Sequence, residues 1–358
     1  MMSNKQISLL IQVLILMVGV TGIEPVTPSM STKCSPSELY ALYKKLLHNT
    51  TAFFNDLYLL HQAIFLENKK MINTYKLNFS PSFNFKVVFN SPHSGSIYDN
   101  DFLKSTNLST YDLRSSEDSF VGELFDSTKF FNCLLMEAKF PRTFVDLNRS
   151  HLELDPNLIS GDFHFEKTAR NIAGLGVIPR FSGSGKAIYN KTISIDNALR
   201  RLERYYFPYH NFLKSLLLES KKRLGYAIMF DCHSMPSSLN IEKDDSRKIN
   251  ESDIILGDLN GSSCSQNLIE NVESIFKFHD FFVTKNHMFS GGYITKKYGD
   301  PNNGIHVIQI EINKKLYMDE DKIKKNKNFF NLRRKLTSVI RELSHLSPDN
   351  QNKSIAAE

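Results

Sequence analysis

An α/β fold, a sheet with helices on both faces, is what this sequence predicts, and three observations carry it. From about Lys76 onward, short apolar runs alternate with segments of helical periodicity. Most of the apolar runs end directly at a conspicuous polar cluster. The 358 residues are 41% hydrophobic and 23% charged, ordinary globular composition and enough chain for a sizeable core.

The expected strands are 86–89, 143–147, 226–230, 281–284 and 307–312, each rich in β-branched or aromatic residues and bounded by polar, Gly or Pro positions. Residues 195–224 carry apolar positions at helical spacing (Leu199, Leu202, Tyr206, then Phe212, Leu213, Leu216, Leu217), with Pro208 marking a kink or break. Phe329, Phe330, Leu332, Leu336, Val339, Ile340 and Leu343 recur every three to four residues, so a C-terminal amphipathic helix covers the sheet. No internal repeat interrupts the pattern, and the organisation expected is an N-terminal extension over 1–70, one domain over 71–347 and a disordered tail over 348–358.

The extension admits three readings. Lys5 followed by the apolar run Ile7–Val20 has the layout of an export signal or anchor. The stretch GVTGIEPVTPSMSTKCSPSEL resembles peptide read through a transfer-RNA gene, which would place the true start at Met71. An ordinary structured extension is the third.

Formal net charge is +6, with much of the excess in Lys322, Lys324, Lys325, Lys327, Arg333, Arg334 and Lys335. No aromatic-interleaved basic stripe accompanies that run, so it reads as a solvated helix face and no nucleic-acid partner is expected. Cys34, Cys133, Cys232 and Cys264 are widely spaced and form no disulfide framework, so reduced thiols and a cytoplasmic location are expected, with export or anchoring through 5–22 as the alternative. No stable membrane association is expected unless that apolar run acts as an anchor, and the oligomeric state is left open.

The polar clusters carry the chemistry. Ser91-Pro92-His93-Ser94-Gly95 follows one strand and Asp231-Cys232-His233-Ser234-Met235-Pro236 follows another, at the strand ends where open α/β sheets bind ligands. Two imidazoles and one carboxylate make the ligand set of a catalytic zinc site, and Glu117 and Asp118 both offer the carboxylate. Glu311 interrupts the apolar strand 307–312 on the face opposite Ile310 and Ile312; a carboxylate there needs a cavity, a partner or water. As a general base it would shuttle a proton; a structural ion pair is its other reading. Asn148 and Arg149, at the expected end of strand 143–147, suit a bidentate clamp on a substrate carboxylate, with scaffold pairing to Asp118 or Asp155 as the alternative. Arg142 and Arg180 offer a second anionic contact or a structural role. A Cys232 nucleophile served by an imidazole is a competing enzyme class, disfavoured because neighbours on a strand point to opposite sides.

Over residues 85–320 the motifs SPHSGSIY, SSEDSFVGELF, FPRTFVDLNRSHLELDP, GLGVIPR, YYFPYH, DCHSMPS, DIILGDLNGSSC, SGGYITKKYGDP and IQIEINKKLYMDE together resemble the N-formylglutamate amidohydrolases. That resemblance implies a zinc-carboxypeptidase-like (phosphorylase/hydrolase-like) three-layer α/β/α sandwich around a mixed sheet. It implies His93, Asp118 and His233 on zinc or another divalent metal, with Glu117 the rival for the third place. Glu311 would be the catalytic carboxylate, Asn148 and Arg149 the substrate clamp, and Gly291-Gly292-Tyr293 a flexible substrate-side loop. The implied reaction is hydrolysis of an N-formyl or N-acyl acidic amino acid, a small-molecule substrate; deacylation of another acidic amide and a non-catalytic metal-binding module are the alternatives. Asn286-His287-Met288-Phe289 departs from the family's usual Asn-Xaa-Pro-aromatic pattern, which leaves the pocket's shape open.

Overall fold

The computed structural model describes residues 74–80, 82–238 and 252–348, within the compact unit Lys70–Glu358. The expectations for 1–70 and for most of the tail lie outside the described residues. Among the described residues no helix is long and apolar enough to cross a membrane.

Seven strands form the central sheet: β1 Tyr75–Asn78, β2 Val87–Ser91, β3 Leu134–Ala138, β4 Ala227–Met235, β5 Ile254–Gly257, β6 Val283–Lys285 and β7 Ile305–Asn313. Their order is β1-β3-β2-β4-β7-β5-β6. The centre is parallel (β3-β2-β4-β7), β1 runs antiparallel to β3 and β5 antiparallel to β7, so the sheet is mixed, as expected. Strand β4 is buried along all nine residues, and the continuous apolar run of residues 227–230 that opens it is what a central strand covered on both faces requires.

Alternation along β4 and β7 assigns the two faces. Ile228, Phe230 and Cys232 of β4 and Ile308, Ile310 and Ile312 of β7 share one core cluster with helix α3 (Gln266–Phe278) and helix α5 (Phe329–Leu343). Asp231, His233, Gln309 and Glu311 therefore belong to the opposite face, where helix α2 (Phe207–Leu224) packs on β4 and helix α4 (Tyr293–Tyr298) on β7. Helices on both faces complete the three layers. The C-terminal helix is the amphipathic element that the periodicity predicts, with Phe329, Leu332, Leu336, Val339, Ile340 and Leu343 buried.

The break expected near Pro208 is a wide turn: an α-helix over Ile195–Arg201 passes through a π segment, Leu202–Tyr206, into α2. Pro208, in the first turn of α2, has no N–H to continue the i→i−4 ladder, and the π segment absorbs the missing bond without ending the helix.

Two expectations fail. Residues 143–147 form a turn; the N–H groups of Phe144 and Val145 bond back to Pro141 O at 3.0 and 3.4 Å, and Asp146 N–H bonds to Val177 O at 2.7 Å. Pro141 starts this turn, and Val145 and Leu147 are buried without joining a ladder. The sheet position belongs to β3, which the strand signals did not single out, nor did they single out β1 and β5. The basic run is also not one helix face: Lys322 pairs with Asp319, Lys324 and Lys325 form a two-residue strand, and only Arg333 to Lys335 lie on α5.

Candidate active site

The polar residues of β4 and β7 face a cavity of about 380 Å³ at the carboxyl ends of the parallel strands. His93 follows β2 by two residues, His233 lies in β4, and Glu311 of β7 pairs in register with His233. Asp118 comes from the loop after Arg114, fixed by its backbone N–H on His93 O at 3.1 Å.

His93, Asp118 and His233 are all buried and offer ligand atoms within 4.8 Å of one another. Asp118 Oδ2 lies 2.9 Å from His233 Nδ1 and 3.4 Å from His93 Nδ1, while Oδ1 accepts from Ser234 Oγ at 3.1 Å. Glu117 is turned away: its carboxylate accepts from Tyr98 Oη at 2.7 Å, Ser119 Oγ at 2.8 Å and Arg114 Nε at 3.0 Å. Of the two carboxylates between which the sequence left the choice open, Asp118 meets the imidazoles.

Each imidazole is braced from behind by a buried carboxylate. His93 Nε2 lies 2.7 Å from Asp146 Oδ1, and His233 Nε2 lies 3.0 Å from Asp231 Oδ2. A carboxylate only accepts, so each Nε2 carries a proton and each Nδ1 is turned toward Asp118. Asp231 is held in turn by Asn90 Nδ2 at 2.7 Å, and Asn90 Oδ1 accepts from Tyr209 Oη at 2.6 Å. Asp146 accepts from Arg142 Nη2 at 2.7 Å and from Asn148 N–H at 2.9 Å. This carboxylate–histidine pairing is the usual support of metal-ligating imidazoles. Nothing but the spacing Asp231-Cys232-His233, two polar residues on one face of an apolar strand, signalled it in the sequence; Asp146 carried no comparable signal.

The electrostatics favour positive charge at this point. Burial disfavours a His233 imidazolium, but the Asp231 carboxylate and the hydrogen bonds to Asp118 and Asp231 outweigh it and hold the ring well above its usual range. Burial likewise raises Asp118, yet the hydrogen bond from His233 and the nearby His93 imidazole, 3.4 Å away, hold it well below the ordinary carboxylate range. His93 Nδ1 and Glu311 Oε2 are buried without a hydrogen bond, and such orphaned atoms at a carboxylate-rich point suit a cation. The residues present therefore fit a divalent metal with two nitrogen donors and one oxygen donor.

Burial pushes the Glu311 carboxyl up to about 8, and its other oxygen, Oε1, accepts from Gln309 Nε2 at 2.9 Å. Cys232 lies in the apolar cluster on the far face of the sheet, and burial raises its thiol strongly, so it is not positioned as a nucleophile.

Other expected contacts divide. Arg149 lines the cavity, but from a loop, not a strand end; its Nε donates to Leu175 O at 2.8 Å and Nη1 to Asn148 O at 2.7 Å. Asn148 also lines it, yet its amide braces the start of α4: Oδ1 accepts from Ile294 N–H at 2.8 Å, while Nδ2 only packs beside His233 Nε2, 3.4 Å away. Arg142 lines the cavity and is bound to Asp146. Arg180 and Tyr293 do not line it. Arg180 pairs with buried Asp155 at 2.7 Å and stacks on Phe181, while Tyr293 accepts from Lys297 Nζ at 3.1 Å and packs beside His210. Their neighbours in sequence, Phe181 and Gly292, reach the cavity instead. Gln309 and Lys314, within the motif IQIEINKKLYMDE but given no role there, and Arg170, which lies in no motif, also line it.

The Gly291-Gly292 loop is pinned to the site. Gly292 N–H donates to Gln309 Oε1 at 2.7 Å, and a Cβ on Gly292 would stand 2.2 Å from Asn148 Nδ2. Gly292→Ala is expected to displace Asn148 and lower kcat/KM by about 10²-fold with little change in thermal stability; steady-state kinetics beside a melting curve check this.

A family model of N-formylglutamate amidohydrolase matches residues 85–318. N-formylglutamate deformylases of Pseudomonas putida and Pseudomonas aeruginosa are 29% and 28% identical over 203 residues, 56% of this chain and 70% of each relative. The crystal structure of N-formylglutamate amidohydrolase from Ralstonia eutropha aligns with a TM-score of 0.71 and 28% identity, covering 76% of this chain and 98% of that one. A gene product of Agrobacterium tumefaciens, at 14% identity and a TM-score of 0.55 over 77% of this chain and 94% of that one, shares the fold. The matched span runs from just before β2 through β7 and so includes every residue of the buried cluster; by that match the chain belongs to the N-formylglutamate amidohydrolase family.

Proposed function

We propose that this chain is a metal-dependent amidohydrolase that cleaves the formamide bond of N-formyl-L-glutamate, releasing L-glutamate and formate. One observation carries the reading beyond family membership: the unpartnered Oε2 of Glu311 shares a cavity with the His93–Asp118–His233 cluster and with Arg149. A divalent cation on those three ligands, zinc by donor type though other ions accept the same set, would polarise the formyl carbonyl and acidify water at the site.

The chain's own residues account for the remaining steps. Glu311 takes a proton from the attacking water as its oxygen bonds to the formyl carbon, then delivers that proton to the amide nitrogen as the C–N bond breaks. The charge of a cation held by His93, Asp118 and His233 would oppose the burial that raises Glu311 and so would favour the carboxylate form that the first transfer needs. Arg149, its guanidinium fixed by two backbone carbonyls, presents the rest of its fork to the substrate carboxylate. Asp146 and Asp231 keep both Nδ1 atoms aimed at the ligand position.

The test is metal content by elemental analysis beside formate release from N-formyl-L-glutamate. About one divalent metal per chain is expected, with release abolished by chelation and restored by adding zinc back. Metal without release would move the substrate to another N-acyl amino acid; full activity in metal-free protein would overturn the mechanism.

A further inference from the structure

The cavity holds more positive charge than its own acids answer. Four cations line it, Arg142, Arg149, Arg170 and Lys314, against three carboxylates, Asp118, Asp146 and Glu311. Arg142 is neutralised by Asp146, and Lys314 donates to the Glu117 carbonyl at 3.0 Å. Asp118 faces the two imidazoles. Arg149 donates only to carbonyl oxygens, and the Arg170 guanidinium has no hydrogen bond or ion pair among the described residues; its backbone carbonyl accepts from Leu175 N–H at 2.8 Å.

These two guanidiniums share one wall. Arg170 lies on α1 (Ala169–Ile172), which leads through Gly174 to Leu175, whose carbonyl fixes Arg149 Nε. The segment is tied to the strand of chain after Arg149: Asn171 Nδ2 donates to Leu154 O at 3.1 Å and Thr168 Oγ1 to Glu153 Oε2 at 2.9 Å. Glu153 is further occupied by Ser150 N–H at 3.2 Å. Burial first, then repulsion from Arg142 and Arg170 against the pull of Asp146, leaves the Arg149 guanidinium below its usual range. Two cations that repel across a cavity favour an anion between or beside them.

Depth separates their roles. Arg149 is 7% exposed and adjoins Asn148, whose amide packs beside His233, so it belongs to the metal side of the cavity. Arg170 is exposed and stands at the outer part of the same wall. We infer that Arg170 binds the distal, side-chain carboxylate of a dicarboxylic N-acyl amino acid while Arg149 takes the carboxylate beside the scissile amide, an assignment that rests on the amidohydrolase reading above. An uncharged side chain would leave Arg170 unanswered, so the enzyme discriminates for acidic substrates at this residue and not at the metal centre.

The experiment compares kcat/KM for N-formyl-L-glutamate and for N-formyl-L-glutamine, equal in length but neutral at the distal end, in wild type and Arg170→Gln. Wild type prefers the dicarboxylate, and the variant loses about 30-fold of that preference, chiefly through KM. An unchanged ratio in the variant, or no preference in wild type, overturns the assignment. Hydrolysis of neither compound by wild type would instead remove N-formyl-L-glutamate as the substrate, the reading on which this assignment rests. Calorimetric binding of N-formyl-L-glutamate then tests Arg170 alone: about tenfold weaker binding in Arg170→Gln supports it, and equal affinity refutes it.

Discussion

Glu311→Gln is expected to lower kcat by about 10³-fold or more while leaving metal stoichiometry unchanged, because it removes the proton carrier and keeps the shape of the site. The amide preserves an acceptor for Gln309 Nε2, so the strand should stay in place. The same substitution has a stability signature of opposite sign. In metal-free wild type the folded state keeps the Glu311 proton up to about 8, whereas the unfolded chain releases it near the ordinary glutamate value of 4.5. Between those values the native state binds the extra proton, so stability falls as pH rises through that window. Glutamine has no such titration. Melting curves of metal-free protein from pH 5 to about 9 should therefore show wild type losing stability relative to the variant. Turnover within tenfold of wild type would reject Glu311 as the base; parallel pH profiles would reject its raised carboxyl.

Arg142→Met carries the largest expected cost to stability, about 3–5 kcal/mol, because it strands a carboxylate that is almost wholly buried. Asp146 has a side chain 3% exposed and would lose contacts at 2.7 and 3.3 Å from Arg142. Burial alone would raise Asp146; Arg142 first, then His93, holds it well below the ordinary carboxylate range. A depressed carboxyl contributes stability above its unfolded value and loses it as pH falls, so the penalty of the variant should be greatest near neutrality and shrink toward pH 4. Adding Asp146→Asn to Arg142→Met should recover most of the loss, since the stranded charge is gone. Chemical denaturation of the single and double variants measures this, and a single-variant loss below 1 kcal/mol would mean that water replaces Arg142. Because Asp146 also orients His93, the single variant should bind metal about 10- to 100-fold more weakly.

What could be read from the sequence and what could not divide along physical lines. Elements defined by local periodicity were legible: the central strand ending in Asp231-Cys232-His233, strand β7 with Glu311 facing away from its isoleucines, and the amphipathic C-terminal helix. Period-two alternation fixes which residues share a face before any partner strand is known. Strands β1, β3 and β5 gave weaker signals, and the apolar stretch at 143–147 gave a false one, because burial of Val145 and Leu147 does not require a ladder.

Ligand types at strand ends were likewise legible in His93, His233 and the Glu117–Asp118 pair. The choice between those two carboxylates was tertiary: Tyr98, Ser119 and Arg114 claim Glu117, leaving Asp118 to the imidazoles. Arginine roles were the least readable, since a guanidinium reaches far and its partners come from distant segments. Arg142 and Arg180 are matched to Asp146 and Asp155, and Arg170, in no motif, stands over the cavity without a partner among the described residues. The sequence by itself determined the layers, the faces and the donor types, because these follow from residue chemistry and backbone period. Only the tertiary structure decided which charges answer one another, because pairing depends on distances between segments that the chain order does not encode.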